Sequence, residues 1–334
     1  MHVYSEEMDS AKSTPVFISV VVPVYNSETI LPSLAERLKL VLNSIAERWE
    51  LILVNDASPD GSWRVIQSLA ASEPRFRGID LMRNYGQHNA VLCGVRGAKG
   101  DVVITMDDDL QHPPEEIPSL LSCLDKGYDV VYGTPRQEQH GILRDSASLI
   151  TKLALQHIMG ADTARSVSAF RAFRTPLREA FANYQGAQVS LDVLLTWGTG
   201  RFSSVRVRHD PRKAGGSNYT FGKLITIALN LVTGFSTLPL RIASIIGFAF
   251  TLFGFGVLCF VLARYYLDGG SVPGFPFLAS LTAIFSGAQL FALGIVGEYL
   301  ARIYVRTLDR PAYTVRSTTE CSVAPVIRAT RGAS

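Results

Sequence analysis

Residues 101–116 read DVVITMDDDLQHPPEE. Val102 to Met106 is a short, apolar, β-branched run, the mark of a buried strand. It leads straight into Asp107, Asp108 and Asp109. Asp109 stands where an N-cap would, with Pro113 and Pro114 opening a helix and Glu115 and Glu116 in its first turn. A strand that carries carboxylates to its C-terminal end carries them to the edge where open α/β sheets bind ligands. If the chain is still extended there, Asp107 and Asp109 point to one side. With Gln111 nearby they are hard oxygen ligands, suited to Mg2+ or Mn2+ bridging to a diphosphate. A solvated acidic turn capping a helix accounts for the same letters. Adjacent like charges cost least with a cation among them, which favours the metal.

Outward from this stretch the pattern repeats. Phe17 to Val22 is an apolar run ending at Pro23, followed by VYNSETI. WELILV ends at Val54 and leads into NDASPDGS and a helix from Trp63 to Ala71. Arg77 to Met82 is a third strand, followed by RNYGQHNA and a helix to Ala98; Asp129 to Tyr132 is a fifth strand after the aspartate-ended one. Strands alternating with helices predict an α/β fold with a doubly wound, mostly parallel sheet. Polar residues gather where its strands end: Tyr25 and Asn26, Asp56 and Asp60, Arg83 and Asn84, then Asp107 to Gln111. That clustering predicts a nucleotide-type crevice. Neither G-x-G-x-x-G nor a P-loop occurs, and Gly94, Gly97 and Gly100 precede a strand, as turn and packing glycines do. A diphosphate here is therefore held by a metal and side chains.

Composition divides the chain. Of its 334 residues only 18% are charged, and the net charge of +3 gives no case for nucleic acid. The four cysteines stand apart, as reduced thiols do. Residues 1–15 are acidic, read as disordered and show no signal peptide. The apolar excess lies in the last third. Ile242 to Ala263 is 22 residues without a charge, and Val272 to Gly297 another 26. Each exceeds the roughly 20 residues that span a bilayer, and LDGGSVPG between them makes a hairpin. Lys223 and Arg241 before it, and Arg302, Arg306 and Arg310 after it, put both termini in the cytoplasm. Upstream, Arg144 and Ser148 lie one helical turn apart and, with Arg136, form a patch suited to a phosphate; a solvated basic face explains it equally. Phe221 to Phe235 carries an apolar stripe, an amphipathic helix for the membrane interface, preceded by a basic segment over Arg208 to Tyr219.

PVYN, VNDASPDGS, RNYGQH, MDDDLQHPPEEIP, GYDVVYGTPR, SAFRAFR, RKAGGSNY and GEYLARIY occur here in the order found in polyisoprenyl-phosphate glycosyltransferases. The chain resembles that family over about residues 16–315. The resemblance implies an inverting, family 2 enzyme with a GT-A fold and a membrane hairpin. Its parts would be a disordered 1–15, a cytoplasmic GT-A domain over 16–219, an interfacial helix over 220–237, spans over 238–267 and 274–300, and a cytoplasmic tail over 301–334. It implies an inner-membrane location and a homotetramer. Pro23, Tyr25 and Asp56 would contact the nucleoside, Arg83 and Asp108 would lie near the donor, and Asp107, Asp109 and Gln111 would hold Mg2+ or Mn2+ and diphosphate. Arg136, Arg144 and Ser148 match the acceptor-phosphate site, and Arg212 and Ser217 a basic loop over it; Asp109 and Arg144 would be catalytic.

Asp108, Ser27, Asn218 and Arg165 depart from the family pattern, and Arg165 replaces an aspartate that several relatives carry. A processive synthase is disfavoured because the one Arg-Trp pair, Arg48–Trp49, has Ile45 where Q-x-x-R-W requires glutamine. A non-catalytic sugar-nucleotide binder or a lipid translocator is the reading from another class. The residues do not name the sugar; UDP-glucose is the first expectation and UDP-4-deoxy-4-formamido-arabinose the alternative.

Overall fold

Seven of the eight residues of β1 (Phe17–Val24) are buried, which requires cover on both faces of the strand. The computed structural model describes residues 16–135, 166–185, 190–210, 238–267, 274–308 and 310–319. Successive side chains of a strand alternate between faces, and here each face has its own helices. Val20, Val22 and Val24, with Leu51 and Leu53 of β2 (Arg48–Asn55), pack against Leu31, Leu34, Ala35, Leu38 and Leu42 of α1 (Leu31–Ile45). Val21, Ile52 and Val54 pack against Ala90, Leu92 and Val95 of α3 (Gln87–Gly97). Gly94 is glycine for a packing reason: a Cβ there would lie 2.3 Å from a methyl of Val21.

The remaining elements are α2 (Ser62–Ser72), β3 (Phe76–Leu81), β4 (Val102–Thr105), α4 (Ile117–Leu124), β5 (Val130–Pro135), β6 (Arg171–Arg174), α5 (Leu191–Leu195), β7 (Phe202–Val207), α6 (Leu238–Leu267), α7 (Phe275–Thr307) and β8 (Val315–Thr318). The sheet runs β7-β5-β6-β4-β1-β2-β3-β8. β1 to β4 are mutually parallel. β6 is antiparallel to both β4 and β5, so β5 runs with β4, and β7 is parallel to β5. Six of the eight described strands thus run one way, with β6 inserted and β8 added at the far edge. This is the α/β, mostly parallel sheet expected from the sequence. The C-termini of the six parallel strands feed one edge.

Two details of the acidic stretch differ from the expectation. β4 stops at Thr105, and Asp108 and Asp109 lie in a turn, so extended-strand alternation does not aim their side chains. The helical segment opens as a 3-10 turn at Pro114–Glu116 whose cap residue is Pro113, with no capping side chain. Asp109 is not the helix cap: Leu110 takes φ 59°, and that left-handed residue separates the aspartates from the helix.

α6 and α7 invert the rule that governs the sheet. Ile245, Phe248, Leu290 and Leu293 are each more than 60% exposed. The two helices touch where the Phe285 ring meets Phe250 and Phe253, centroids 5.7 and 6.4 Å apart, over Gly254, the small residue that permits the approach. Leu240–Phe260 and Ile284–Ala301 are long and apolar enough to cross a membrane. The chain is a membrane protein, since such surfaces need lipid and not water. α7 continues to Thr307, so Arg302 and Arg306 lie within the helix. The disordered reading of 1–15, the interfacial helix at 220–237 and the hairpin loop fall outside the described residues.

Candidate active site

The loops after β1, β2, β3 and β4 surround a cleft of about 250 Å3, lined by Pro23, Val24, Tyr25, Asp56, Asn84, Gly86, Gln87, Asp107, Asp108 and Asp109. Asp56 follows β2, and its two carboxylate oxygens accept the backbone N–H groups of Tyr85 and Gly86 at 2.7 and 2.8 Å. Burial raises its pKa, and those two bonds work against the rise. Gly86 sits at φ 91°, a conformation that L side chains rarely adopt. The β2 and β3 loops are thereby fixed to each other at the cleft wall.

The three aspartates have separate duties. Asp108 accepts the Tyr25 N–H at 3.2 Å and the Ser27 hydroxyl, tying the acidic turn to the loop after β1. Burial raises its pKa, opposed by those two donors and reinforced by the neighbouring charge of Asp109. Asp107 accepts the side-chain amide of Gln87. Asp109, only 8% exposed, accepts the Gln111 N–H at 3.1 Å, a local turn that bends the chain back. Among the described residues no three His, Cys, Asp or Glu side chains close into a metal cage. Asp107 and Asp109 form instead a partial, oxygen-only set, which suits a hard divalent cation that keeps positions for diphosphate oxygens and water. His112 stacks on Phe170 beneath this turn, and burial with the neighbouring His209 pushes it down to about 4. It is neutral at pH 7.

A second cavity of about 230 Å3 shares Gln87 and Asp107 with the first, and is lined also by His88, Val91, Thr105, Met106, Val167, Ser168, Ala169, Arg171 and Asp192. Arg171 of β6 and Asp192 of α5 form a buried ion pair, 4% and 5% exposed. Arg171 also donates to the Thr105 hydroxyl at 3.1 Å. A buried pair with such added bonds is costly to break from one side.

Of the residues expected at the donor site, Pro23, Tyr25, Asp56, Asp107, Asp108 and Asp109 border the cleft together. Arg83 does not; its guanidinium lies over the Tyr85 ring, 4.6 Å from the centroid. Gln111 does not border it either, because the left-handed Leu110 turns the chain away and the Gln111 carbonyl accepts the Asp210 N–H at 2.8 Å. Arg136, Arg144, Ser148, Arg212 and Ser217 lie outside the described residues. Gln87, Arg171 and Asp192 were not expected. RNYGQH holds the first and SAFRAFR holds Arg171, but nothing local in the sequence marks Asp192.

A parallel sheet with acidic loops around one cleft is the frame of a sugar-nucleotide enzyme. Residues 19–181 match the family described as glycosyl transferase family 2. The undecaprenyl-phosphate 4-deoxy-4-formamido-L-arabinose transferase of Shewanella sediminis is 37% identical over 304 residues, covering 90% of this chain and 92% of that protein. The protein of the same name from Klebsiella pneumoniae is 37% identical over 303 residues, with the same coverage of 90% and 92%. A solved glucosyl-3-phosphoglycerate synthase from Mycobacterium tuberculosis superposes with a TM-score of 0.49 at 17% identity, over 65% of this chain and 78% of that one. The chain belongs to the polyisoprenyl-phosphate glycosyltransferases of family 2, and its fold is of the GT-A type.

Proposed function

We propose that the protein transfers a sugar from a nucleotide sugar to the phosphate of a polyisoprenyl lipid, undecaprenyl phosphate, inverting the anomeric carbon. The observation that carries this reading is the cleft in which Asp107, Asp108 and Asp109 meet Pro23, Tyr25 and Asp56. The nucleoside lies against Pro23, Tyr25 and Asp56, and the diphosphate reaches the acidic turn. Asp107 and Asp109 would hold Mg2+ or Mn2+, which would supply charge neutralisation to the departing diphosphate, with Gln111 behind them donating its N–H to Asp109. The sugar falls in the second cavity, where Thr105, Ser168 and the Arg171–Asp192 pair offer donors and acceptors for its hydroxyls.

An oxygen of the lipid phosphate forms the new bond to the anomeric carbon while the bond to the nucleoside diphosphate breaks. That oxygen is already anionic near neutral pH, so no side chain has to remove a proton. Orientation and charge placement carry the catalysis. The acceptor phosphate is assigned to Arg136, Arg144, Ser148, Arg212 and Ser217 through the resemblance. The enzyme sits in the inner membrane as a homotetramer, with its catalytic domain and both termini cytoplasmic. That topology lets α6 and α7 hold the cleft beside a phosphate confined to the bilayer surface.

The relatives' names support a 4-deoxy-4-formamido-L-arabinosyl donor over the UDP-glucose expected from the sequence. The test is a panel of nucleotide sugars, these two included, presented with undecaprenyl phosphate to membranes carrying the protein. One sugar should be transferred far faster than the rest. Transfer from none of them, with divalent cation present, would overturn the reading.

A further inference from the structure

Beyond the second apolar helix the chain returns to the sheet. Seven residues separate Thr307, the last of α7, from Val315, the first of β8. At about 3.5 Å per residue, that connection holds the β3 edge within about 30 Å of the helix end. Ala312 is 4% exposed, buried among Ile79, Leu81, Ala90 and Cys93 with Tyr313 packed beside it. The Arg96 guanidinium lies 5.8 Å from the Tyr313 ring centroid. β8 then pairs antiparallel with β3, Asp80 facing Ser317 and Leu81 facing Val315. Met82 N–H donates to the Thr314 carbonyl at 2.9 Å, and Gly78 N–H to the Thr319 hydroxyl at 2.8 Å.

All four side chains of β8 are exposed, so the strand itself adds little to the core. What it contributes is polar, and it points at the donor loops. Arg316 donates to the Met82 carbonyl at 2.7 Å and pairs with the buried Asp80 at 3.4 Å. The other oxygen of Asp80 accepts the Asn55 side-chain amide at 2.7 Å, and Asn55 immediately precedes Asp56. Thr314, just before the strand, accepts the N–H of Met82, three residues before Tyr85. The Tyr85 backbone N–H is the one that Asp56 accepts at the cleft wall. One side-chain relay therefore runs from the post-membrane strand through Arg316 and Asp80 to Asn55, the residue before Asp56, and the Met82–Thr314 backbone bond holds the strand beside the loop that carries Tyr85.

We infer that β8 is a positioning element for the nucleotide cleft, through which the membrane anchor braces the Asn55–Asp56 and Tyr85–Gly86 loops by way of Arg316, which holds Asp80 and the Met82 carbonyl. The inference rests on the donor reading of that cleft. Positioning residues of this kind act on binding of the donor and not on the acceptor or on the chemical step, so KM for the donor moves alone.

The test uses the full-length protein in detergent, with UDP as the calorimetric probe and steady-state transfer to undecaprenyl phosphate. Arg316→Ala should weaken UDP binding and raise the donor KM roughly five- to tenfold, the lower part of the range for coupling between sites. kcat at saturating donor and the acceptor KM should stay put, while the thermal midpoint falls because the buried Asp80 loses its cation. Arg316→Lys should recover part of the loss, since it keeps the charge but not the fork. Asp80→Asn should also weaken UDP binding, and its double variant with Arg316→Ala should do no more than the worse single one. UDP binding unchanged in Arg316→Ala, or strictly additive effects of Arg316→Ala and Asp80→Asn, would overturn the inference. So would an Arg316→Ala protein whose acceptor KM worsens as much as its UDP affinity, which would make β8 an ordinary edge strand. If the unaltered protein takes no UDP, the donor reading fails first and this inference falls with it.

Discussion

At the N-terminal edge of the sheet Glu50 is 4% exposed and fully engaged. One of its oxygens accepts the Ser19 hydroxyl and the Lys99 N–H, each at 2.6 Å, and the other accepts Arg77 at 2.6 Å. At the opposite edge Asp107, Asp108 and Asp109 border an open cleft, held by amides and a hydroxyl from neighbouring loops. The same residue class does two jobs at the two ends of the same strands. A carboxylate given a cation and a full set of donors holds the fold. Carboxylates crowded together beside a cleft are arranged for a ligand that brings its own positive charge. Activity and stability should therefore separate by edge.

The sharpest way to break the comparison is at the acidic turn. Asp109→Ala should lower transfer by about a hundred- to a thousandfold or more, the scale for removing a group that stabilises developing charge. Its thermal midpoint should hold, because Asp109 caps no helix. Chelation of the unaltered protein should cost as much, and added Mg2+ or Mn2+ should restore it. Activity that persists in excess chelator would make the aspartates a purely structural turn. The second test falls on the other edge. Glu50→Ala leaves Arg77, whose side chain is 14% exposed, beside an emptied site. About 3 kcal/mol of stability should go, the lower end for breaking a buried pair because Arg77 retains some solvent. UDP affinity of the folded fraction should be unchanged. Equal losses of affinity and stability would mean that the two edges are not separable.

The two edges also differed in how much the sequence revealed. The C-terminal edge was legible because strand-ending aspartates, prolines and glycines are local signals: NDASPDGS and MDDDLQHPP announce their loops. Glu50 was not, because inside WELILV it is a lone charge, and its partners Ser19, Arg77 and Lys99 are 31, 27 and 49 residues away. The Arg171–Asp192 pair was hidden for the same reason, being joined only when β6 and α5 pack together. The first four strands followed from apolar runs, whereas β6 and β8 are antiparallel insertions whose pairing is decided by distant chain. Asp109 was misplaced as a cap because nothing in DDDLQ tells that Leu110 is left-handed.

The smallest expected effect lies at the N-terminal edge and concerns pH. Glu73, at the end of α2, is bound by Arg75 through two contacts at 2.8 and 3.0 Å and by Lys39 at 3.1 Å. Arg75 in turn lies over the Trp49 ring, 4.0 Å from its centroid, which holds the guanidinium in place. The Arg75 hydrogen bonds, then the bond from Lys39, lower the Glu73 pKa from 4.5 to about 2. A carboxylate depressed in the folded state stabilises it at any pH above the unfolded value, and that contribution is lost as protons bind. The window here runs from pH 4.5 down to about 2. Arg75 and Lys39 are 37% and 36% exposed, so solvent screens the cluster and about 1 kcal/mol is at stake. Glu73→Gln should lower the thermal midpoint slightly at neutral pH and flatten its fall across that window, with transfer at pH 7 untouched. The measurement is the midpoint against pH for both proteins. Parallel curves would show that Glu73 adds nothing to the acid sensitivity of this edge, and would move the cause to carboxylates elsewhere in the sheet.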